Sequence, residues 1–180
     1  MTPLFASIAG PRLALLAAAL CALPLRSAPL APNVVEITPR LVTSGQPSRD
    51  ALGMLKAQGY GAVVYLAPPT VPDAVPDEPV IVTRQGLQFV NIPIDFAHPT
   101  EGDFATFAAY LKPLAGTKVL VHCQVNLRAS SMMFLYRTIV LNEDLHKAYE
   151  AVQRIWVPDA TWKRYMQGLL ARNGIDFEPF

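Results

Sequence analysis

The sequence predicts an α/β domain with a mostly parallel central sheet and a helical C-terminal third, and three observations carry that reading. Short strand-like runs at 40–44, 62–66, 87–92 and 118–121 alternate with segments of helical period. The run at 62–66, Ala-Val-Val-Tyr-Leu, is apolar at every position, as expected of a strand buried on both faces. Beyond His122 no strand-like run recurs, and the patterns at 129–141, 143–155 and 161–172 are helical.

Local signals support each element in turn. Gly45 closes the run at 40–44, and Ser48 can cap a helix over 49–58 with Leu52, Met54 and Leu55 on its apolar side and Gly59 as its stop. The stretch 68–79 holds five prolines and three acidic residues and reads as a surface loop. A short helix over 78–85 leads to the run at 87–92. Thr100 and Asp103 form a capping-box pair ahead of Phe104, Phe107, Ala108, Leu111 and Leu114, which recur at helical spacing.

The chain has 180 residues, 52% of them hydrophobic and 16% charged, which excludes a disordered acidic or basic protein. Part of the apolar excess is N-terminal. An uncharged run of 11 residues, Leu13 to Leu23, follows Arg12, ends at Pro24 and Arg26, and is trailed by Ser27 and Ala28. This is the layout of a secretory signal peptide over 1–28, followed by a linker at 29–36 and a domain at 37–175. The run is short of the ~20 residues a membrane-spanning helix needs, so no stable span is expected once the leader is removed. Leu20 ahead of Cys21 argues against a lipoprotein anchor. Export to the periplasm or the medium is expected, and a cytoplasmic location if the leader is not functional. Loss of Arg12 and Arg26 from the 15 basic residues leaves 13 against 14 acidic ones, so nothing in the charge points to a nucleic-acid partner. Only Cys123 remains as a thiol after the leader, which marks it for reactivity.

The most informative stretch runs from Val119 to Ser130. An apolar strand ends in His122-Cys123, and after Gln124, Val125, Asn126 and Leu127 come Arg128, Ala129 and Ser130 at the start of a helix. Amides over 124–129 and the helix N-terminus can hold a phosphate's non-bridging oxygens. The same dipoles and Arg128 favour a Cys123 thiolate able to attack phosphorus. Arg128 can clamp two equatorial oxygens, and Ser130 can bond the sulfur as it leaves. His122 packs and orients the loop. Leaving-group protonation needs an acid on another loop, for which Asp95 and His98 are the candidates. Asn126 is the residue best able to adopt a left-handed conformation in a loop without glycine. None of this chemistry calls for a metal or an organic cofactor.

These residues resemble the cysteine-dependent tyrosine and dual-specificity phosphatases. The segment Ile37 to Ser48, with its Ser-Gly-Gln-Pro turn, and the stretch Gly59 to Leu66 resemble the small bacterial dual-specificity-like branch, and Ile92-Pro93-Ile94-Asp95 resembles its general-acid loop. The likeness covers roughly 33–172 and implies a sheet of four or five strands with helices on both sides. It also implies hydrolysis of a phosphorylated protein or small phosphoester through a phosphocysteine. The family places five residues between cysteine and arginine; this chain has four. That shorter spacing also fits a rhodanese-type sulfurtransferase, and a weakly active phosphate-binding scaffold is the third reading.

Overall fold

The computed structural model describes residues 30–178, so the leader 1–28, including Cys21, lies outside the described residues. A five-stranded sheet has the order β1-β2-β5-β3-β4. Its strands are β1 (Val35–Thr38), β2 (Leu41–Ser44), β3 (Ala62–Tyr65), β4 (Gln88–Asn91) and β5 (Val119–His122). All neighbours are parallel except β1, which runs antiparallel to β2 at one edge. The helices are α1 (Arg49–Gly53), α2 (Glu78–Arg84), α3 (Glu101–Leu111), α4 (Leu127–Ile139), α5 (Leu145–Gln153) and α6 (Ala160–Arg172).

Alternation along the central strands builds two cores. Val63 of β3 and Leu120 of β5 face one side with Val42, Leu52, Leu55 and Val82, beneath α1 and α2. Val64, Val119 and Val121 face the other, against α3 to α6. There α4 is the central helix, buried at every position from Arg128 to Thr138. All four residues of β3 and of β5 are buried, as the unbroken apolar run implied.

Two elements depart from the sequence reading. Val35 and Glu36, at the end of the expected linker, begin β1, where the Thr38 hydroxyl accepts from the amides of Arg40 and Leu41 to turn the chain into β2. The prolines on either side hid this edge strand. The helix expected over 49–58 ends at Gly53, although Ser48 caps it as anticipated by accepting from the Ala51 amide. The side chain of Gln85 explains the stop. Its Nε2 donates to the Leu52 carbonyl at 2.8 Å, and its Oε1 accepts from the Lys56 amide at 3.1 Å. These two groups would have bonded each other in a continuing helix, so a side chain has entered the ladder. The Thr100–Asp103 capping box of α3 forms as expected.

Replacing Gln85 by Ala should release both backbone groups. The expected cost is ~1 kcal/mol in urea unfolding, with loss of amide-exchange protection at Lys56; unchanged protection would show that the side chain does not terminate the helix.

Candidate active site

Parallel register puts the strand ends on one level. Ser44 of β2, His122 of β5, Tyr65 of β3 and Asn91 of β4 lie in one row across the sheet, so the segments that follow emerge at the same carboxyl edge. The glycine missing from the Cys123 loop is supplied by its neighbour. A Cβ on Gly45 would stand 2.7 Å from the Gln124 carbonyl and 3.2 Å from the Val125 Cα, so only glycine lets the two segments approach.

The carbonyls of the loop are drawn outward. The Gln124 oxygen accepts from the Gln46 amide at 2.9 Å, and the Val125 oxygen from Asn33 Nδ2 at 3.0 Å. The Asn126 oxygen accepts from the Ser130 amide at 3.0 Å and the Ser130 hydroxyl at 2.7 Å. Asn126 adopts the left-handed conformation expected of it, φ 75°, and its buried side chain donates to the Asn33 carbonyl and to Thr43 Oγ1. The Ser130 amide makes the first bond of α4, so the amides of Leu127, Arg128 and Ala129 have no partner within the helix. They carry the positive end of the helix dipole into the loop.

Cys123, Arg128, Gln124, Val125, Leu127 and Phe96 wall a recess of about 190 Å³. Cys123, one of these lining residues, is fully buried. Arg128 is 7% exposed. Its Nε donates to the Ile94 carbonyl at 3.0 Å, one Nη reaches Gln124 Oε1 at 3.4 Å, and the guanidinium lies 5.2 Å from the centre of the Phe96 ring. These partners are uncharged, and among the described residues no carboxylate forms an ion pair with Arg128. A buried cation that faces only neutral acceptors is poised for an anion. Gln124 is held in turn by Asp73 of the Pro-rich loop, which accepts from its Nε2 at 3.0 Å.

The acid loop lies against the same arginine. Ile94 contributes its carbonyl to Arg128, and the Phe96 carbonyl accepts from Trp162 Nε1 at 3.0 Å. Asp95 points outward, bonded to His98 Nδ1 and to the Ala97 amide, both at 2.9 Å. The bond to His98, then that to Ala97, holds its carboxyl below the usual range, with Arg128 acting in the same sense. Asp95 and His98, weighed as alternatives from sequence, are thus partners. The Ser130 hydroxyl donates to the carbonyls of Asn126, just ahead of α4, and of Leu127 in its first turn.

His122, expected to orient the loop, has partners that sequence did not reveal. Its Nε2 lies 2.7 Å from Glu78 Oε1, the other oxygen of Glu78 accepts from Gln46 Nε2 at 2.8 Å, and the imidazole stacks on Tyr65 at 4.7 Å. Tyr65 is pushed up to about 12, by burial first and then by Glu78, Asp73 and Cys123, and so stays a neutral donor to the Pro68 carbonyl. Glu78 had looked like one more acid of a surface loop. Among the described residues no group of three or more His, Cys, Asp or Glu is placed to hold a metal ion, and no helix is long and apolar enough to cross a membrane.

Gly45→Ala should push the Gln124 carbonyl away and cost about 1–3 kcal/mol in chemical unfolding; a variant as stable as the parent would mean that the loop yields freely at this contact.

No protein-family model matches the chain. A curated relative, the beta-lactamase hydrolase-like protein of Xylella fastidiosa, is 32% identical over 113 residues, which cover 59% of this chain and 25% of that protein. The chain thus spans about a quarter of the length of the curated relatives it matches. Among solved structures, a candidate phosphatase (DUF442) from Shewanella putrefaciens CN-32 superposes with a TM-score of 0.71 at 29% identity, covering 79% of this chain and 94% of that one. The kinase-associated phosphatase matches at 0.68 and 12% identity, over 84% of this chain and 99% of its own. The catalytic domain of the PP-IP phosphatase SIW14 from S. cerevisiae matches at 0.61 and 13%, over 83% and 100%. These low-identity matches speak for the fold. They show that the chain shares the fold of the cysteine-dependent protein tyrosine and dual-specificity phosphatases.

Proposed function

We propose that the chain is a phosphatase that hydrolyses phosphate monoesters, of phosphotyrosine or dual-specificity type, through a phosphocysteine. One observation carries the reading: the buried guanidinium of Arg128, without a carboxylate partner, lines the same recess as Cys123. The likeness of the fold to phosphatases, the Shewanella protein among them, supports it.

In the first step the Cys123 thiolate attacks phosphorus and the bond to the leaving oxygen breaks, with that oxygen taking a proton from Asp95. The free amides of Leu127, Arg128 and Ala129 and the fork of Arg128 receive the charge that builds on the equatorial oxygens. The long 3.4 Å contact to Gln124 is the one a phosphate would displace, while Nε keeps its hold on Ile94 and so ties the clamp to the acid loop. In the second step water attacks the phosphocysteine, Asp95 takes the water's proton, and the thiolate leaves with release of inorganic phosphate. Ser130 can assist that departure only by turning from the Asn126 carbonyl.

The rhodanese reading loses its support, because α4, α5 and α6 follow β5 and no strand succeeds it among the described residues. Thiosulfate-to-cyanide transfer should therefore be absent. Export remains part of the proposal, resting on the leader pattern; processing near residue 28 in a fractionated cell would support it, and an unprocessed cytoplasmic chain would remove it.

Cys123→Ser should abolish hydrolysis of an aryl phosphate, a loss insensitive to added metal ions; undiminished turnover in that variant would sink the mechanism. Arg128→Lys keeps the charge but loses the fork, and should lower kcat/KM by about 10²–10³-fold.

The acid role makes a signed prediction. Protonated Asp95 is the active form in the first step, so kcat falls as pH rises through its pKa. His98 stabilises the carboxylate, hence His98→Ala raises that pKa and moves the basic limb to higher pH. Asp95→Asn should flatten the limb altogether, and a limb unchanged in both variants would remove Asp95 from the chemistry.

A further inference from the structure

The most deeply buried ionisable pair beside the site takes no part in the steps above. His122 and Glu78 have side chains 0% and 2% exposed and meet at 2.7 Å. They come from different parts of the fold: His122 ends β5 one residue before Cys123, and Glu78 begins α2 at the end of the Pro-rich loop. Gln46 joins them from a third, the turn after β2. Its side chain donates to Glu78, and its backbone amide holds the Gln124 carbonyl of the Cys123 loop. One residue therefore grips both the carboxylate and the loop.

A carboxylate removed from water needs a compensating charge. Among the described residues no lysine or arginine forms an ion pair with Glu78, and His122 is the basic side chain bonded to it. An ionised Glu78 accepts only, so Nε2 of His122 donates to it. The opposite nitrogen, Nδ1, is buried with no hydrogen-bond partner, and the Tyr65 ring, stacked within 13° of parallel, fixes the plane of the imidazole.

We propose that Glu78, aided by Gln46, is a positioning residue for the nucleophile: its buried carboxylate keeps His122 as an oriented imidazolium behind the Cys123 loop, and that cation favours the Cys123 thiolate. The proposal rests on Cys123 being the nucleophile of the proposed phosphatase. The other charged or titratable groups around the thiol are Arg128 on α4, Asp73 in the Pro-rich loop, Tyr65 on β3, and Asp95 with His98 on the acid loop. Glu78→Gln leaves all of these side chains in place, and Tyr65, which Glu78 helps to push up, stays neutral through its burial.

The sign of the effect separates this arrangement from its alternatives. If Glu78 sustains an imidazolium, its conversion to an isosteric amide discharges His122 and disfavours the thiolate. If His122 is neutral beside an ionised Glu78, the same substitution removes a negative charge and favours the thiolate. A purely structural contact leaves the thiolate population unmoved once the protein is folded.

The test is a pH titration of thiolate ultraviolet absorbance on the folded full chain, taken as the difference from Cys123→Ser so that Cys21 cancels. Glu78→Gln should reduce the thiolate fraction at a pH on the rising limb by about tenfold, equivalent to one unit of displacement, and Glu78→Asp should restore most of it. The acidic limb of kcat/KM on an aryl phosphate should move up in step. A titration unmoved, or moved toward lower pH, overturns the proposal. Should Glu78→Gln not fold, His122→Asn carries the same test, and must displace the titration upward by at least as much. Absence of turnover with the titration displaced as expected would count against the phosphatase reading alone; normal turnover with an unmoved titration would count against Glu78 alone.

Discussion

Everything at the carboxyl edge depends on the register of four parallel strands. Ser44, His122, Tyr65 and Asn91 share one row, so the turn after β2, the Cys123 loop and the acid loop leave the sheet at the same height. A slip of one residue in β5 would turn its side chains to the opposite face, exchanging the cores of Leu120 and Val121. Both faces of β5 are fully buried, and that burial makes such a slip costly. The chemistry of the loop is thus secured by the packing of a strand that takes no part in it.

The loop itself is shaped from outside. It contains no glycine, and its left-handed residue is Asn126, which meets the demand with two side-chain hydrogen bonds. Its carbonyls are drawn outward by Gln46, Asn33 and Ser130, while the first amides of α4 remain without helical partners. That division of carbonyls and amides suits an anion. It leaves Arg128, the second residue of α4, near the acid loop through Ile94 rather than extended into solvent. With four residues between it and Cys123, Arg128 still lines the same recess, in contact with Gln124.

The ionisable groups divide by depth. Asp95 and His98 lie at the surface, where water screens them and their pairing is easily exchanged. Glu78 and His122 are enclosed, where a charge without its partner would be strongly unfavourable. The proposed general acid, which would gain and lose a proton each turnover, suits the first setting, and the proposed positioning pair suits the second.

Much of this was legible in sequence. The unbroken apolar runs marked β3 and β5, the Thr100–Asp103 pair marked the start of α3, and His122-Cys123 marked the end of a buried strand, because each rests on neighbours within a few residues. Asn126 was legible for the same reason, since few residues other than glycine accept a positive φ. What sequence could not show was every feature built across the fold. Gln85 stops α1 from 33 residues away, Gly45 admits a loop from another strand, and Glu78 is buried against His122 across 44 residues of chain. The amino-acid sequence by itself determined the central strands, the caps at Ser48 and Thr100 and the place of Cys123 at a strand end, for these follow from local propensity and period. The tertiary structure alone decided which acid is buried, which glycine is indispensable and where Arg128 points, because burial and approach belong to pairs of residues that only folding brings together.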